Sequence, residues 1–168
     1  MAATSHPLAT LTALDVLRAG GNAVDAALAS VAVLNVVEPQ MTGIGGDCFV
    51  LYSKAGALPL ALNGSGRAPM KANVEWYRAN GIRAIEVQTP HAVSVPGAVD
   101  AWCRLHADHA TKDLAELMEP AAKLAGSVRD ALRAKGFPVS NYVGTNGLHG
   151  RPDIAGMNHS TVPAVLVE

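Results

Sequence analysis

The sequence predicts a mixed α/β (α+β) fold, and three observations carry that reading. Apolar residues recur at helical spacing through most of the first forty residues. A strand-like run, a short turn and a second strand-like run follow. Helical spacing then returns beyond residue 97, punctuated by Gly and Pro.

Composition sets the bounds. Of the 168 residues, 49% are hydrophobic and only 16% charged, so the chain can bury a core and is not a disordered sequence. Aromatic residues make up 4%, so that core must be built from Ala, Val and Leu. The formal net charge is -1 with no basic block, which argues against nucleic acid as a partner, because that binding rests on clustered Lys and Arg. The longest apolar stretch, residues 26–37, is too short to span a bilayer and is interrupted by Ser30 and Asn35. "MAATSHPLAT" lacks a basic region followed by an apolar run. No secretory signal is expected from it, and the expected location is cytoplasmic, with a secretory origin left open.

The elements follow in order. "SHPLATLTALDVLRAGG" reads as a helix, with Pro7 in its first turn, Leu8, Leu11, Leu14 and Leu17 at helical spacing, and Gly20-Gly21 at its end. "NAVDAALASVAVLNVVEP" restarts at Asn22 as N-cap and stops at Glu38-Pro39. It is apolar on nearly every face and should be buried. Cys48 to Tyr52 is a strand, "SKAG" a turn, and Leu58 to Leu62 the returning antiparallel strand. A turn of Asn63, Gly64, Ser65 and Gly66 comes next. "VEWYRANG" is a short helix closed by Gly81. A helix after Pro96-Gly97 places Val99, Trp102 and His106 on one face. Residues 112–138 are helical, with Pro120 near the start of a second helix. Residues 141–168 form an irregular tail ending in a strand-like "PAVLVE".

Several motifs invite chemistry. "GIGGD" (residues 43–47) has the glycines of a dinucleotide loop, but that fingerprint needs a strand before it and a helix after it, and here the order is reversed. It reads instead as a tight helix-to-strand turn, or as a loop whose backbone amides face a site beside the strand. His106 and His109 stand at i, i+3 without a third ligand, so a solvated face is favoured over a metal. Cys48 and Cys103 read as two buried free thiols. No cofactor and no metal are expected. Ser65 lies between glycines, but a strand leading to Arg-Ala-Pro would not hold a nucleophile on a helix N-terminus. Arg67, among glycines and before a rigid Pro, is either a solvated charge or a clamp for an anion, since its planar fork fits a carboxylate or phosphate.

The order of these pieces, "GGNAVDAA", "VVEPQMTGIGGDCFVLY", "ALNGSGRAP", "VSVPGAVDAW" and "GFPVS", resembles the N-terminal large-subunit region of the gamma-glutamyltransferase (gamma-glutamyltranspeptidase) family. The resemblance covers residues 4–140, which implies that residues 1–140 are large-subunit-like and 141–168 a separate tail, from a deletion or fragment. It implies an N-terminal-nucleophile hydrolase fold, an αββα sandwich present here only in part. It also implies acyl transfer from gamma-glutamyl amides to water or an amine, by the N-terminal threonine of a small subunit released from a precursor. A terminal amine acting as local base activates such a nucleophile.

Two departures matter. In members with firm gamma-glutamyl specificity, the stretch after this strand reads Asp-x-Arg-Glu-x-Ala-Pro, and its arginine binds the substrate alpha-carboxylate. Anchored on Ala68-Pro69, that arginine falls on Ser65, and Arg67 stands two residues later; "NGSGRAP" resembles the acylase-like branch. Either Arg67 takes over the carboxylate or the acyl preference has changed, and Ser65 and Arg67 are the candidate substrate-binding residues. The Thr-Thr-His start of the small subunit is absent, and Thr161 is not in that context. The chain is thus expected to lack the nucleophile and to need a small-subunit partner or to self-associate. The competing reading is a non-catalytic truncated paralogue that binds a small acidic ligand or a partner chain.

Overall fold

The computed structural model describes residues 1–87 and 89–137. The strand-like "PAVLVE", Thr161, His149 and His159 lie outside the described residues. The described residues divide into two compact units, Met1–Thr42 with residues 103–137, and Gly43–Trp102.

The first unit is helical. Helix α1, Pro7–Arg18, has Pro at its first position, where a missing N–H costs nothing, and the His6 side chain accepts from Leu8 N. Its buried residues are Ala9 and Ala13, whereas Leu8 and Leu11 are exposed. The expected leucine stripe is therefore not the packed one, because alanines let α1 approach its neighbour closely. Helix α2, Ala23–Val37, begins at a capping box. Asn22 Oδ1 accepts from Val24 N and Asp25 N at 2.8 and 3.0 Å, and Asp25 Oδ2 accepts from Asn22 N at 2.7 Å. Eight of its fifteen residues are buried and only Ala23 and Ala27 are exposed, in keeping with its all-round apolar character.

Residues 114–134 are one helix, α5 (Leu114–Ala134), rather than two, with Pro120 inside it. Pro removes one intrahelical bond. The i, i+4, i+8 stripe of Leu117, Ala121 and Ala125 is buried, and that packing holds the helix through the defect. Ala9, Ala32, Val33 and Ala121 form the core of this unit, with Leu34, Val36, Val37, Met118 and Leu124 against it.

The second unit holds an antiparallel hairpin, β1 (Cys48–Tyr52) and β2 (Leu60–Gly64), paired in the register Val50 to Leu62 and Cys48 to Gly64. β2 starts two residues later than the hydrophobic run suggests, and it takes in Asn63 and Gly64. These two residues pair with Phe49 and Cys48 instead of turning. Helix α3, Val74–Ala79, and a 3-10 turn, Pro90–Ala92, follow. Trp76, Tyr77 and His91 meet edge to face, with centroids 5.3–6.0 Å apart. Helix α4, Ala98–His109, starts in this unit and ends in the other. Its buried residues are Ala98, Ala101, Trp102 and Leu105, so the face through Val99 and His106 is only half-buried. Among the described residues no helix is long and apolar enough to cross a membrane.

Candidate functional site

The segment after β2 is built on its neighbours' backbones. Asn63 Oδ1 accepts from Ser65 N at 3.0 Å, which bends the chain as it leaves the strand. Asp47 Oδ1 accepts from Gly66 N at 2.9 Å and from the Ser94 hydroxyl at 3.1 Å. The Gly46 carbonyl accepts from Gly97 N and Ala98 N at 3.1 and 3.0 Å. Three loops, 43–47, 64–66 and 94–98, are thereby tied together.

Glycine is required where they meet. A Cβ on Gly66 would stand 1.5 Å from the Val95 carbonyl oxygen, and one on Gly97 would stand 2.3 Å from the Gly64 carbonyl oxygen. The glycines of "NGSGRAP" thus serve backbone-on-backbone packing within the unit. "GIGGD" closes a tight turn, with Gly46 N donating to the Gly43 carbonyl at 3.2 Å, and it offers two acceptors to the other loops, the Gly46 carbonyl and the Asp47 carboxylate.

Ser65 and Arg67 lie on this anchored segment, and both are exposed. Neither the Ser65 hydroxyl nor the Arg67 guanidinium bonds to any other described residue. A guanidinium with all its donors open, carried on a tethered backbone and followed by Pro69, is chemically suited to grip a planar anion in two-pronged fashion.

The other polar centre is Asp25, 0% exposed. Its Oδ1 accepts from Thr111 N at 2.9 Å and Lys112 N at 3.2 Å. Its Oδ2 accepts from Asn22 N at 2.7 Å and the Thr111 hydroxyl at 2.5 Å. Burial pushes its pKa up, but the Thr111 hydroxyl and the three backbone amides outweigh that and hold it below the ordinary carboxylate value. Every lone pair is engaged, so Asp25 is a structural anion that joins the start of α2 to the α4–α5 connection. His106 belongs to the same region: its Nε2 lies 2.8 Å from the Lys112 carbonyl oxygen, so it is a half-buried loop contact rather than a solvated face. Among the described residues no group of three metal-ligating side chains occurs.

Neither Cys48 nor Cys103 is in a disulfide, and both are half-buried, less enclosed than expected. Burial raises the pKa of the Cys48 thiol and so disfavours the thiolate form, against the opposing effect of the Trp102 indole.

Sequence reasoning missed Asp25, Asp47, Ser94 and Thr111. A signal for Asp25 was available, since Asn22 and Asp25 have capping-box spacing and the rest of the helix is apolar. The partners of Asp47 are 19 and 47 residues away, and no local pattern marks them.

Comparison with known proteins bears on this arrangement. The family model described as gamma-glutamyltranspeptidase matches residues 9–151. The acylase ACY 1 proenzyme of Pseudomonas sp. (strain SE83) is 35% identical over 158 residues, covering 85% of this chain and 26% of the relative. The glutathione hydrolase proenzyme of Bacillus subtilis (strain 168) is 36% identical over 155 residues, covering 85% of this chain and 24% of the relative. The crystal structure of Helicobacter pylori gamma-glutamyltranspeptidase superposes with a TM-score of 0.63 at 30% identity, covering 80% of this chain and 42% of that one. The chain thus spans about a quarter of the length of the curated relatives it matches. With a family model matching most of its residues and relatives of more than one activity above 30% identity, the chain belongs to the gamma-glutamyltranspeptidase family.

Proposed function

We propose that this chain is the large-subunit-like part of a gamma-glutamyltransferase-type hydrolase, with Arg67 as the contact for a substrate carboxylate. The observation that carries the reading is the open guanidinium of Arg67 on a segment anchored through Gly66. The enzyme transfers an acyl group from an amide donor to water or an amine. Its nucleophile is the terminal threonine of a small subunit contributed by polypeptide outside this chain, and that threonine uses its own amine as base. Relatives that are proenzymes support a precursor. Here the hairpin β1–β2 is part of an αββα sandwich completed by the small subunit. Ser65 adds at most one neutral hydrogen bond to the donor, a weaker contact than a charged pair.

Arg67 touches a part of the donor that does not react, so it binds ground and transition states alike. Its loss should raise KM with little change in kcat. Truncating one partner of a buried charged contact costs on the order of 2–5 kcal/mol, so Arg67→Ala should raise KM for alpha-carboxylate donors by well over tenfold. Arg67→Lys should recover only part, because a point charge replaces a fork. The test is the complete two-subunit enzyme, assayed with gamma-glutamyl donors and with acyl donors that lack the alpha-carboxylate. An Arg67→Ala effect of equal size on both donor types would make Arg67 a turn residue and overturn the assignment.

A further inference from the structure

We propose that Asp47 is a positioning residue for Arg67, setting where the guanidinium meets a carboxylate; the proposal rests on the reading of Arg67 given above.

The argument starts from a conflict within the loop. Position 66 must be glycine, because a Cβ there would fall 1.5 Å from the Val95 carbonyl oxygen. Glycine is also the residue whose backbone is least restrained, and it directly precedes Arg67. Left alone, it would let the arginine swing. Asp47 removes that freedom, because its Oδ1 holds the Gly66 amide at 2.9 Å. A carboxylate oxygen is a stronger hydrogen-bond acceptor than a neutral one.

Asp47 is itself held. The Ser94 hydroxyl donates to the same oxygen at 3.1 Å, which fixes the carboxylate rotamer. The carbonyl of the preceding residue, Gly46, accepts from the Gly97 and Ala98 amides at the start of α4. The path from a helix terminus to Arg67 therefore runs α4, Gly46, Asp47, Gly66, Arg67. On the far side Pro69 restricts the chain two residues on. Ser65, the residue before Gly66, is bent by its own bond to Asn63. Among the described residues only the link through Asp47 is a side chain from another loop, so it is the one a substitution can remove without rebuilding the segment.

A carboxylate near a carboxylate-binding arginine also carries an opposite expectation, since its charge repels an anionic donor. The two roles separate cleanly. Asn at position 47 keeps an oxygen that accepts from Gly66 N and the Ser94 hydroxyl but loses the charge, whereas Ala loses both.

The experiment has two arms. In the first, amide hydrogen exchange is measured on the 168-residue chain. Asp47→Ala should speed exchange at Gly66 by about tenfold or more, and Asp47→Asn should retain much of the protection. In the second, the complete enzyme is assayed with donors that do and do not carry an alpha-carboxylate. Asp47→Ala should raise KM for carboxylate donors by about tenfold, the scale expected of a small misplacement, with kcat and the other donors little changed. Asp47→Asn should largely restore KM, and Asp47→Ala should add nothing in an Arg67→Ala background.

Unchanged Gly66 exchange in Asp47→Ala overturns the proposal. So does an equal KM rise for both donor types, or a KM that falls in both Asp47→Asn and Asp47→Ala, which would make Asp47 a charge effect. If Arg67→Ala discriminates between donors and Asp47→Ala does not, only the Asp47 proposal falls. If Arg67→Ala itself fails to discriminate, the Arg67 reading falls and takes this one with it, whatever Gly66 exchange shows.

Discussion

The two units of the chain are stabilised in different ways. In the helical unit, alanine-lined helices bury a common core around Ala9, Ala32, Val33 and Ala121, and a fully buried carboxylate joins distant segments by four hydrogen bonds. In the hairpin unit only Ala98, Ala101 and Trp102, at the start of α4, are buried among the described residues, and Phe49, Leu51, Leu58, Met70 and Val87 are exposed. That region is held by a hairpin ladder, backbone-to-carbonyl bonds and glycines packed against carbonyls. A two-stranded hairpin is marginal by itself in water and needs further strands or a packed layer. The helical unit thus has a packed apolar interior, whereas the hairpin unit leaves most of its large apolar side chains at the surface.

Substitutions that test this contrast fall in a clear order of size. The largest effect is expected at Asp25. Asp25→Ala strands the amides of Asn22, Thr111 and Lys112 and the Thr111 hydroxyl, and should cost about 3–5 kcal/mol at neutral pH, read by urea denaturation of the helical signal. The folded pKa of Asp25 is depressed, so its stabilisation is complete above the unfolded pKa near 4 and is lost as pH falls through the folded value. Thermal melts should therefore show the wild-type advantage over Asp25→Asn shrinking below about pH 4. An advantage that grows on acidification would refute the hydrogen-bonded anion.

Leu117→Ala, at a position with 0% exposure, should cost about 2–4 kcal/mol in the same denaturation experiment. A value under about 1 kcal/mol would mean that α5 is not part of the core.

Gly66→Ala comes next. Its effect should be confined to the hairpin unit, at about 1–3 kcal/mol for forced displacement of Val95, and visible as faster amide exchange across β1 and β2 while α2 and α5 keep their protection. Equal loss in both units would erase the distinction between them.

The smallest stability effect is expected from Phe49→Ser with Leu51→Ser, at residues 70% and 83% exposed. Folding stability should change by no more than about 0.5 kcal/mol, but self-association at high concentration should fall, because exposed apolar faces drive it. Sedimentation velocity distinguishes the outcomes. A strictly monomeric wild-type chain would show that this face is not adhesive.

Much of this architecture was legible in the chain. The capping residue Asn22, Pro7 and the all-round apolar run 23–37 define the first two helices by local chemistry, and "CFVLY" defines a strand by composition. Local preference also misled. Asn63-Gly64 is a turn signal, yet both residues sit in β2, because pairing with Phe49 and Cys48 satisfies their backbone groups. Pro120 is a helix breaker, yet the helix continues through it, because the buried stripe Leu117, Ala121, Ala125 outweighs one lost bond.

Residue order alone was enough to indicate the family, since "GGNAVDAA" and "GIGGDCF" carry it without any coordinates. The types and the position of Ser65 and Arg67 could be read there too. The anchoring around them could not. The Asp47 contacts with Gly66 and Ser94, like the Asp25 contacts with Thr111 and Lys112, join residues 19 to 87 positions apart. Propensity and periodicity act over a turn or a pleat, so they specify elements and faces. Which carboxylate meets which amide depends on how the loops between those elements are brought together, and that is settled only when the chain has folded.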